Sequence, residues 1–347
     1  MLVRAHAPGR VNLIGDHTDY TGGFVLPMAI GLGTTVEIRR HGDRVELVSA
    51  DEPLAAIVPL DVAADDVPLL APSWARYVGG VVSALRPSTG GTGTVRSNLP
   101  IGAGLSSSSS LTVAVALALG YRGRPVEVAR VCQRAEQMGS GVPGGIMDQL
   151  CSAAGVAGHA LLIDCDSLDI TPVPLPAGAE VVVLHSGQAR YLPGSAYADR
   201  RRDCDRATAL VGPLRQATEA DAAAIEDPIL RRRARHVVTE NARVRAAAAA
   251  LAAGDLASAG RLMTESHASL RQDFEVSTPA LDALVERLVA HPGVAGARLT
   301  GAGFGGCVVA LVEQGAAASA AALAPRSWVV EAVAGAGAEV LEEAPPG

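Results

Sequence analysis

The sequence is organised around residues 7–29, which are APGRVNLIGDHTDYTGGFVLPMA. Arg10, Asp16, His17 and Asp19 lie close together in this stretch, between glycines and ahead of an apolar run. The pattern predicts a strand, a tight turn that carries polar side chains, and a second strand. Such a turn can hydrogen-bond the vicinal hydroxyl groups of a sugar, although Asp, Thr and Gly are also ordinary residues of a solvated turn.

The composition of the 347 residues excludes several classes of protein. The chain is long enough for two domains, and because only 3% of it is aromatic, we expect cores of Ala, Val and Leu. The net charge of -7 argues against a nucleic-acid partner. The longest apolar run near the middle of the chain, residues 111–119, is too short for a membrane span, so we expect no membrane partner.

The cysteine content indicates the cellular compartment, and the lysine content limits the possible chemistry. Five cysteines without a Cys-x-x-Cys pair are typical of reduced residues in a cytoplasmic protein, and the first motif begins too early for a signal peptide to precede it. The sequence contains no lysine, which excludes a Walker A loop and Schiff-base chemistry. Any phosphate must therefore be bound by backbone N–H groups, arginine and metal.

The second motif, NLPIGAGLSSSSSL at residues 98–111, places a glycine-rich turn and five serines before an apolar helix. One serine would serve as an N-cap, and a flexible linker does not fit a run held between the turn and the helix. The free N–H groups and the dipole of the helix attract polyphosphate.

Two carboxylates follow in the next helical segments. Residues 125–138 predict an amphipathic helix, with Glu136 at the edge of its apolar face, where an unpaired carboxylate is unfavourable. A metal ion or an arginine would explain Glu136, and the spacing alone favours the arginine. In GVPGGIMDQ, residues 141–149, Asp148 falls in the first turn of a helix, where the dipole stabilises a carboxylate but where Asp is also common.

Three further segments give predictions of local structure. Alternating residues at 34–39 and 44–49 predict a hairpin, and a helix begins near Trp74 and Tyr77. The last glycine-rich loop, ARLTGAGFGGCVVAL at residues 297–311, runs into a strand. A dinucleotide fingerprint would run into a helix, so a dinucleotide-binding module is disfavoured.

Together these motifs resemble the galactokinase family of the GHMP small-molecule kinase superfamily. Residues 9–20 match the family pattern Gly-Arg-Val-Asn-Leu-Ile-Gly-Glu-His-Thr-Asp-Tyr, except that Asp16 stands where Glu is usual. Residues 100–108 resemble the phosphate motif Pro-x-Gly-x-Gly-Leu-Ser-Ser-Ser, and residues 297–311 resemble the third GHMP motif. Residues 197–204 are similar to the family segment Tyr-x-x-Arg-Arg-x-x-Cys. The resemblance covers essentially the whole chain.

The resemblance implies an α+β, two-domain GHMP kinase fold. Residues 1–170 would form a domain like ribosomal protein S5 domain 2, residues 171–347 a ferredoxin-like domain, and the active site would lie between them. The implied reaction is ATP-dependent phosphorylation of α-D-galactose at the anomeric hydroxyl, which gives α-D-galactose 1-phosphate and ADP in galactose utilisation by the Leloir pathway. The implied cofactors are ATP as co-substrate and Mg²⁺, and we expect a monomer or a weak dimer.

The resemblance also implies a role for individual residues. Asp148 would be the general base, or would orient the sugar hydroxyl, and Arg10 would stabilise charge on the transferring phosphoryl group. The sugar would be bound by Asp16, His17, Thr18, Asp19, Gly145 and Tyr197. The ATP phosphates would be cradled by Gly102, Ala103, Gly104, Leu105, Ser106, Ser107 and Ser108. The Mg²⁺ ligands would be Ser108 and Glu136, and Trp74 would either lie near the nucleotide or pack in the core.

Two alternatives remain at this stage. The Asp16 side chain is one methylene shorter than the usual Glu, so either a water fills the gap or the pocket prefers another sugar. A non-catalytic sugar sensor is the second alternative, because galactokinase-like transcriptional inducers exist. Such sensors are expected to be damaged in the serine motif, which is intact in this chain.

Overall fold

The computed structural model describes residues 1–100, 102–188 and 196–341, and no helix within these ranges is long and apolar enough to cross a membrane. The strands are β1 (Leu2–Asn12), β2 (Phe24–Val25), β3 (Pro27–Arg40), β4 (Arg44–Ser49), β5 (Ala56–Pro59), β6 (Gly91–Ser97), β7 (His159–Asp164), β8 (Ile170–Pro174), β9 (Ala179–His185), β10 (Val294–Thr300), β11 (Cys307–Glu313), β12 (Ser327–Val330) and β13 (Gly337–Leu341). The α-helices are α1 (Ala75–Leu85), α2 (Ser107–Ala118), α3 (Pro125–Ser140), α4 (Met147–Ala154), α5 (Ala196–Val211), α6 (Glu219–Ala223), α7 (Pro228–Ala252), α8 (Leu256–Gln272), α9 (Pro279–Val289) and α10 (Ala317–Ala321).

The first sheet has six strands in the order β13-β1-β3-β6-β4-β5. Alternate residues of its strands, such as Val3, Ala5 and Ala7 in β1, point to one face and are fully buried. Helices α1, α2 and α3 cover this face and share one apolar core with it. Because α2 is apolar nearly all round, it lies in the interior of this layer, and its N-terminus is held beside β1.

The hairpin predicted from residues 34–39 and 44–49 is wrong, although both strands exist. They lie in β3 and β4, but β6 is inserted between them, antiparallel to β3 and parallel to β4. Strand β4 forms its antiparallel pair with β5 instead. Alternation of apolar and polar residues predicts a strand but does not specify its neighbour, which is why the expected partner differs from the observed one.

The second sheet, in the order β10-β11-β9-β12, is buried on both faces. In β11, Val308 and Ala310 pack under the C-terminal helices, whereas Val309 and Leu311 pack against residues of the opening motif such as Leu13. Burial on both faces explains the continuous apolar sequence of β9 and β11. The sheet therefore attaches the C-terminal half to the turn after β1.

The predicted α+β class is confirmed, since helices lie in layers against antiparallel and mixed sheets. A small third sheet, β2-β7-β8, continues across residue 170. After the second sheet the chain returns, and β13 pairs with β1 from Leu2 opposite Leu341 to His6 opposite Gly337. The division into residues 1–170 and 171–347 stays a prediction, and the first sheet includes a strand from beyond residue 170.

Candidate active site

Arg10 enters the site from a bulge in β1. The pairing of β1 with β3 shifts register between Pro8 and Arg10, and a bulge of this kind re-aims the neighbouring side chain. Gly9 is required here, because a Cβ would lie 2.6 Å from the backbone oxygen of Leu105. Nη1 of Arg10 donates to the backbone oxygen of Gly104 at 2.7 Å. This contact joins the opening motif to the glycine-rich loop.

Asp148 faces Arg10 from the first turn of α4. Nε and Nη2 of Arg10 donate to Oδ1 and Oδ2 of Asp148 at 2.7 and 2.6 Å, a two-point contact between guanidinium and carboxylate. Oγ of Ser106 also donates to Oδ2, at 2.6 Å. The Arg10 side chain is 5% exposed and that of Asp148 is 27% exposed. The two predicted catalytic residues are thus in direct contact, and the carboxylate is open to the cavity beside it.

Hydrogen bonds within the turn after β1 determine the positions of its polar residues. Oγ1 of Thr18 lies 2.8 Å from the backbone oxygen of Gly15 and 2.7 Å from that of Phe24, so the hydroxyl donates inside the turn. Thr18 is fully buried, and a short 3-10 helix, Asp19–Thr21, follows it. The turn therefore buries Thr18, which was predicted to bind the sugar, and uses its hydroxyl to support the loop.

Asp16 forms a buried ion pair with Arg298, which lies in β10. Nη2 of Arg298 donates to Oδ2 of Asp16 at 2.6 Å, and the N–H of Gly301 donates to Oδ1 at 3.2 Å. Asp16 is 2% exposed and Arg298 is completely buried. Both oxygens of the short side chain thus have partners from the third motif, which connects the opening turn to the second sheet.

His17 lies in a cluster of aromatic rings that joins both halves of the chain. Its Nε2 donates to the backbone oxygen of Ala302 at 3.1 Å, and its Nδ1 then accepts from the hydroxyl of Tyr20 at 3.0 Å. The ring centroids of Tyr197 and Phe274 lie 5.6 and 4.7 Å from that of His17. Tyr197 from α5 is thereby brought to the opening turn, as the resemblance implies.

Asp19 packs directly against Gly145 in the loop before α4. A Cβ at Gly145 would lie 1.7 Å from Oδ2 of Asp19, so a side chain there would displace the carboxyl. Burial, and then the nearby carboxylates of Asp148 and Asp16, raise the pKa of the Asp19 carboxyl from 3.8 to about 7. The backbone N–H of Tyr20 and the charge of Arg10 oppose this rise. Asp19 is thus a carboxyl that titrates near neutral pH.

These side chains enclose a cavity of about 170 Å³ between the two halves of the chain. Its lining combines charged groups from the opening motif with backbone atoms of the loop after β10. The predicted catalytic and sugar-binding residues that line it are Arg10, Asp16, His17, Asp19, Gly145, Asp148 and Tyr197. Carboxylates, an imidazole and a phenol around one small cavity suit a ligand with several hydroxyl groups.

A second cavity, of about 670 Å³, adjoins the start of α2. Ser107 and Ser108 line it, together with Trp74 and Tyr77. Trp74 is also part of the first core, and its indole N–H donates to the backbone oxygen of Leu54 at 3.0 Å. Trp74 thus packs in the core, as one of the two interpretations expects, and also lines this cavity, whereas its place near a nucleotide stays a prediction.

The earlier residues of the predicted ATP loop shape the turn before α2. Gly102 and Gly104 have left-handed φ values of 74° and 80°, which favour glycine. Ala103 and Leu105 are buried in the core below the opening motif. Among the described residues of this loop, Ser107 and Ser108 are the ones that line the larger cavity.

Glu136 of α3 lies where the two cavities approach each other. Its Oε1 accepts from Oγ of Ser108 at 2.5 Å, and its Oε2 accepts from Ser109 Oγ and Gln149 Nε2, both at 2.8 Å. Within the described ranges, this carboxylate has no arginine within ion-pair distance, although the sequence pattern alone favours one. Glu136 lines the smaller cavity and Ser108 the larger one, so this pair of oxygen ligands connects them.

Three residues of α7 hold the opening turn, and they lie in residues 235–241, a helical segment for which we expect a mainly structural role. His236, Glu240 and Asn241 bind backbone atoms of residues 15–24 at 2.8–3.2 Å. All three are buried, and burial lowers the pKa of His236 to about 4, so this imidazole is neutral. Their common position on one face of a largely polar helix is the available signal, but on its own this signal indicates only a structural role.

The chain matches three family descriptions in the order of its motifs. Residues 3–40 match the galactokinase galactose-binding signature, residues 76–156 the GHMP kinases N terminal domain, and residues 247–330 the GHMP kinases C terminal domain. Arg10 falls in the first matched segment, Glu136 and Asp148 in the second, and Arg298 in the third.

Whole-chain comparisons agree with these matches. The chain is 46% identical over 334 residues to the galactokinase of Roseiflexus sp. (strain RS-1) and 45% identical over 328 residues to that of Homo sapiens, each covering 90% of this chain and 84% of the relative. It superposes on Lactococcus lactis galactokinase complexed with galactose with a TM-score of 0.90, at 31% identity, over 97% of this chain and 95% of that one. The mevalonate kinase of L. major shares the fold at 19% identity and a TM-score of 0.67, over 95% of this chain and 96% of that one. The predicted two-domain GHMP fold is confirmed, and the chain belongs to the galactokinase family of GHMP kinases.

Proposed function

We propose that this protein transfers the γ-phosphoryl group of ATP to the anomeric hydroxyl of α-D-galactose, giving α-D-galactose 1-phosphate and ADP. This is the galactokinase reaction of galactose utilisation by the Leloir pathway. The observation that carries the proposal is the contact between Glu136, which lines the smaller cavity together with Asp148, and Ser108, which lines the larger one. A kinase needs this arrangement, because phosphoryl transfer depends on alignment of acceptor and donor and on neutralised charge.

The smaller cavity is our proposed galactose site. Asp16, His17, Asp19 and Tyr197 would hold the sugar hydroxyls, and the relative from Lactococcus lactis, which is described as complexed with galactose, supports a sugar in this fold. Gly145 allows Asp19 to approach the loop before α4. We assign Thr18 to support of the turn, because its hydroxyl is used inside it.

The larger cavity is our proposed ATP site. Its volume suits a nucleotide, and the N-terminus of α2 directs free N–H groups and the positive end of the helix dipole to one side of it. The backbone of residues 102–108 would cradle the phosphates. In a chain without lysine, these groups, arginine side chains such as Arg10 and Arg326, and a metal ion must neutralise the phosphate charge.

The residues around Glu136 fit a magnesium ion. The half-buried carboxylate of Glu136 and the adjacent hydroxyl of Ser108 supply the hard oxygen ligands that Mg²⁺ takes, and phosphate and water oxygens complete such a site. Within the described ranges no arginine pairs with this carboxylate, so a bound cation would be the group that neutralises it. When bound, Mg²⁺ supplies charge neutralisation for the phosphates. Gln149 and Ser109 orient the Glu136 carboxylate for this purpose.

Arg10 and Asp148 are our proposed catalytic residues. The two-point contact fixes the plane of the carboxylate, so that it can accept the proton of the anomeric hydroxyl or orient this hydroxyl for attack. The Arg10 guanidinium lies beside the same position and would stabilise negative charge on the transferring group.

The first test measures ATP consumption with Mg²⁺ against galactose, galactosamine, N-acetylgalactosamine, 2-deoxygalactose, glucose and arabinose. We expect a strong preference for galactose. Activity centred on another sugar would assign a different specificity to the pocket with Asp16, and no activity with any sugar would favour a sensor.

The second test separates catalysis from binding. Asp148→Asn keeps the size of the side chain but removes the carboxylate, and kcat should fall by about 10²–10⁴-fold while ADP binding is retained. Asp65→Asn, at an exposed carboxylate outside both cavities, is the matched control. Normal turnover of Asp148→Asn would remove Asp148 from the mechanism.

We also propose a cytoplasmic location and a monomer or weak dimer. The location is supported by the cysteines, since Cys132, Cys151, Cys165 and Cys204 are free thiols. Light scattering of the purified protein at several concentrations would determine the oligomeric state.

A further inference from the structure

The Asp148 carboxylate accepts three hydrogen bonds within the described part of the chain, and one of them does not come from Arg10. Arg10 donates once to each carboxylate oxygen. The third donor is Oγ of Ser106, which lies 2.6 Å from Oδ2. The first serine of the phosphate motif is therefore hydrogen-bonded to the proposed catalytic carboxylate.

The backbone of Ser106 has an unusual conformation for its position. A serine at a helix N-cap normally has an extended backbone and accepts a hydrogen bond from the first turn. Ser106 instead has φ 63° and ψ 46°, and its side chain makes no capping hydrogen bond within α2. The left-handed conformation is sterically unfavourable for an L-residue. A conformation of this kind at a functional site is a reason to look for a role of the side chain.

The neighbouring serines have different contacts. Ser108 and Ser109 donate to Glu136, and Ser110 donates to the backbone oxygen of Ala7. Ser107 lines the larger cavity, whereas Ser106 is 8% exposed and lies outside the lining of both cavities. The serines of the motif thus have distinct surroundings, and the hydroxyl of Ser106 is directed to Asp148.

We propose that Ser106 is a positioning residue for Asp148, in addition to its place in the phosphate loop. Arg10 holds the carboxylate along one edge, and Ser106 holds Oδ2 from the side of α2, so that rotation of the carboxylate is restricted. Each carboxylate oxygen has two lone pairs. Oδ2 already accepts two hydrogen bonds and Oδ1 accepts one, so Oδ1 is the oxygen that receives the anomeric hydroxyl of the sugar.

Two substitutions distinguish an effect of the Ser106 hydroxyl from an effect of the backbone conformation. Ser106→Gly removes the hydroxyl and favours the left-handed conformation. Ser106→Ala also removes the hydroxyl but keeps the steric cost of the left-handed conformation. This assignment rests on the proposed galactokinase activity. In an assay of that activity, both variants should lose about 100-fold in kcat, because displacement of a catalytic carboxylate by about 1 Å lowers the rate by about this factor. The KM for ATP and the affinity for ADP with Mg²⁺ in calorimetry should change less than about three-fold, since only an interaction of the reacting state is removed.

Ser107→Ala is the matched control, because Ser107 faces the nucleotide cavity without a contact to Asp148 among the described residues. Its main effect should be on the KM for ATP. A kcat of Ser106→Gly within about two-fold of the parent would overturn the assignment, and so would an increase in the KM for ATP at unchanged kcat, which is the result for a phosphate ligand. A loss confined to Ser106→Ala would assign the effect to the backbone instead. If the parent protein phosphorylates no sugar, the proposed function fails first, which is a distinguishable result.

Discussion

The ion pair between Asp16 and Arg298 gives the most direct test of how the two halves of the chain are joined. Arg298 is the largest fully buried side chain of the described residues, and its Nη2 lies 2.6 Å from Oδ2 of Asp16. We consider Arg298→Met, which keeps much of the volume without the charge, Asp16→Asn, which keeps the size without the charge, and the double variant.

The expected loss in free energy of unfolding follows from the burial of both charged side chains. Removal of one partner leaves the other charge buried and unpaired, which destabilises a protein by about 3–5 kcal/mol. The double variant leaves no uncompensated charge, and the amide oxygen that replaces the carboxylate can still accept the N–H of Gly301, so its cost should be well below the sum of the single ones. We expect an interaction free energy of about 2–3 kcal/mol between the two sites.

Urea unfolding at pH 7 and 25 °C measures the free energies of unfolding for the double-mutant cycle. Arg261→Met is the surface control, since Arg261 pairs with Glu265 at 62% and 49% side-chain exposure and should change stability by at most about 1 kcal/mol. A loss of less than about 1 kcal/mol for Arg298→Met would show that the ion pair is not required for stability, and so would additivity of the two substitutions within about 0.5 kcal/mol.

Three further predictions concern the site. Gly145→Ala should raise the KM for galactose by about ten-fold or more, because its Cβ would occupy the position of Asp19 Oδ2 and displace this carboxyl. Asp19→Asn should gain stability relative to the parent as the pH rises from 4 to 8. The pKa of Asp19 is about 7 in the folded protein and 3.8 in the unfolded chain, so protonated Asp19 stabilises the fold fully at low pH, and this contribution is lost as the pH rises through 7. Glu136→Gln should weaken Mn²⁺ binding to the complex with ADP by about ten-fold or more, as measured by electron paramagnetic resonance, because a charged oxygen ligand is lost.

Each of these predictions has a control within the chain. Gly337→Ala should leave the KM for galactose unchanged, since a Cβ there meets nothing within 4 Å and the residue lines neither cavity, and an equal effect of both substitutions would contradict the steric argument. For Asp19→Asn, a stability difference from the parent that stays constant between pH 4 and 8 in urea unfolding would exclude the raised pKa. Glu127→Gln removes an exposed carboxylate from the same helix as Glu136, and an equal loss of Mn²⁺ affinity there would argue against a specific site.

The class of fold could be predicted from the sequence through its resemblance to the galactokinase family, and the motifs that carry the resemblance contain residues that line the site. Glycines around residues 9–23, 102–104 and 301–306 mark places where the backbone must turn or approach a ligand, and four polar residues of the first stretch, Arg10, Asp16, His17 and Asp19, line the smaller cavity. Local patterns of this kind depend on few neighbouring residues. Helix α3 and strand β11 were predictable for the same reason, since the pattern of each is contained in one short segment.

Only the tertiary structure decided which distant groups are partners. The pairing of Asp16 with Arg298 joins residues 282 positions apart, the insertion of β6 between β3 and β4 overrides the expected hairpin, and β13 closes the first sheet against β1. Hydrogen-bonding capacity and apolar periodicity are properties of a residue and its near neighbours, whereas a partner is selected by the packing of whole layers. Asp16 shows the difference: its sequence context predicts a polar residue of the sugar site, but only the packing of the second sheet against the opening turn identifies Arg298 as its ion-pair partner.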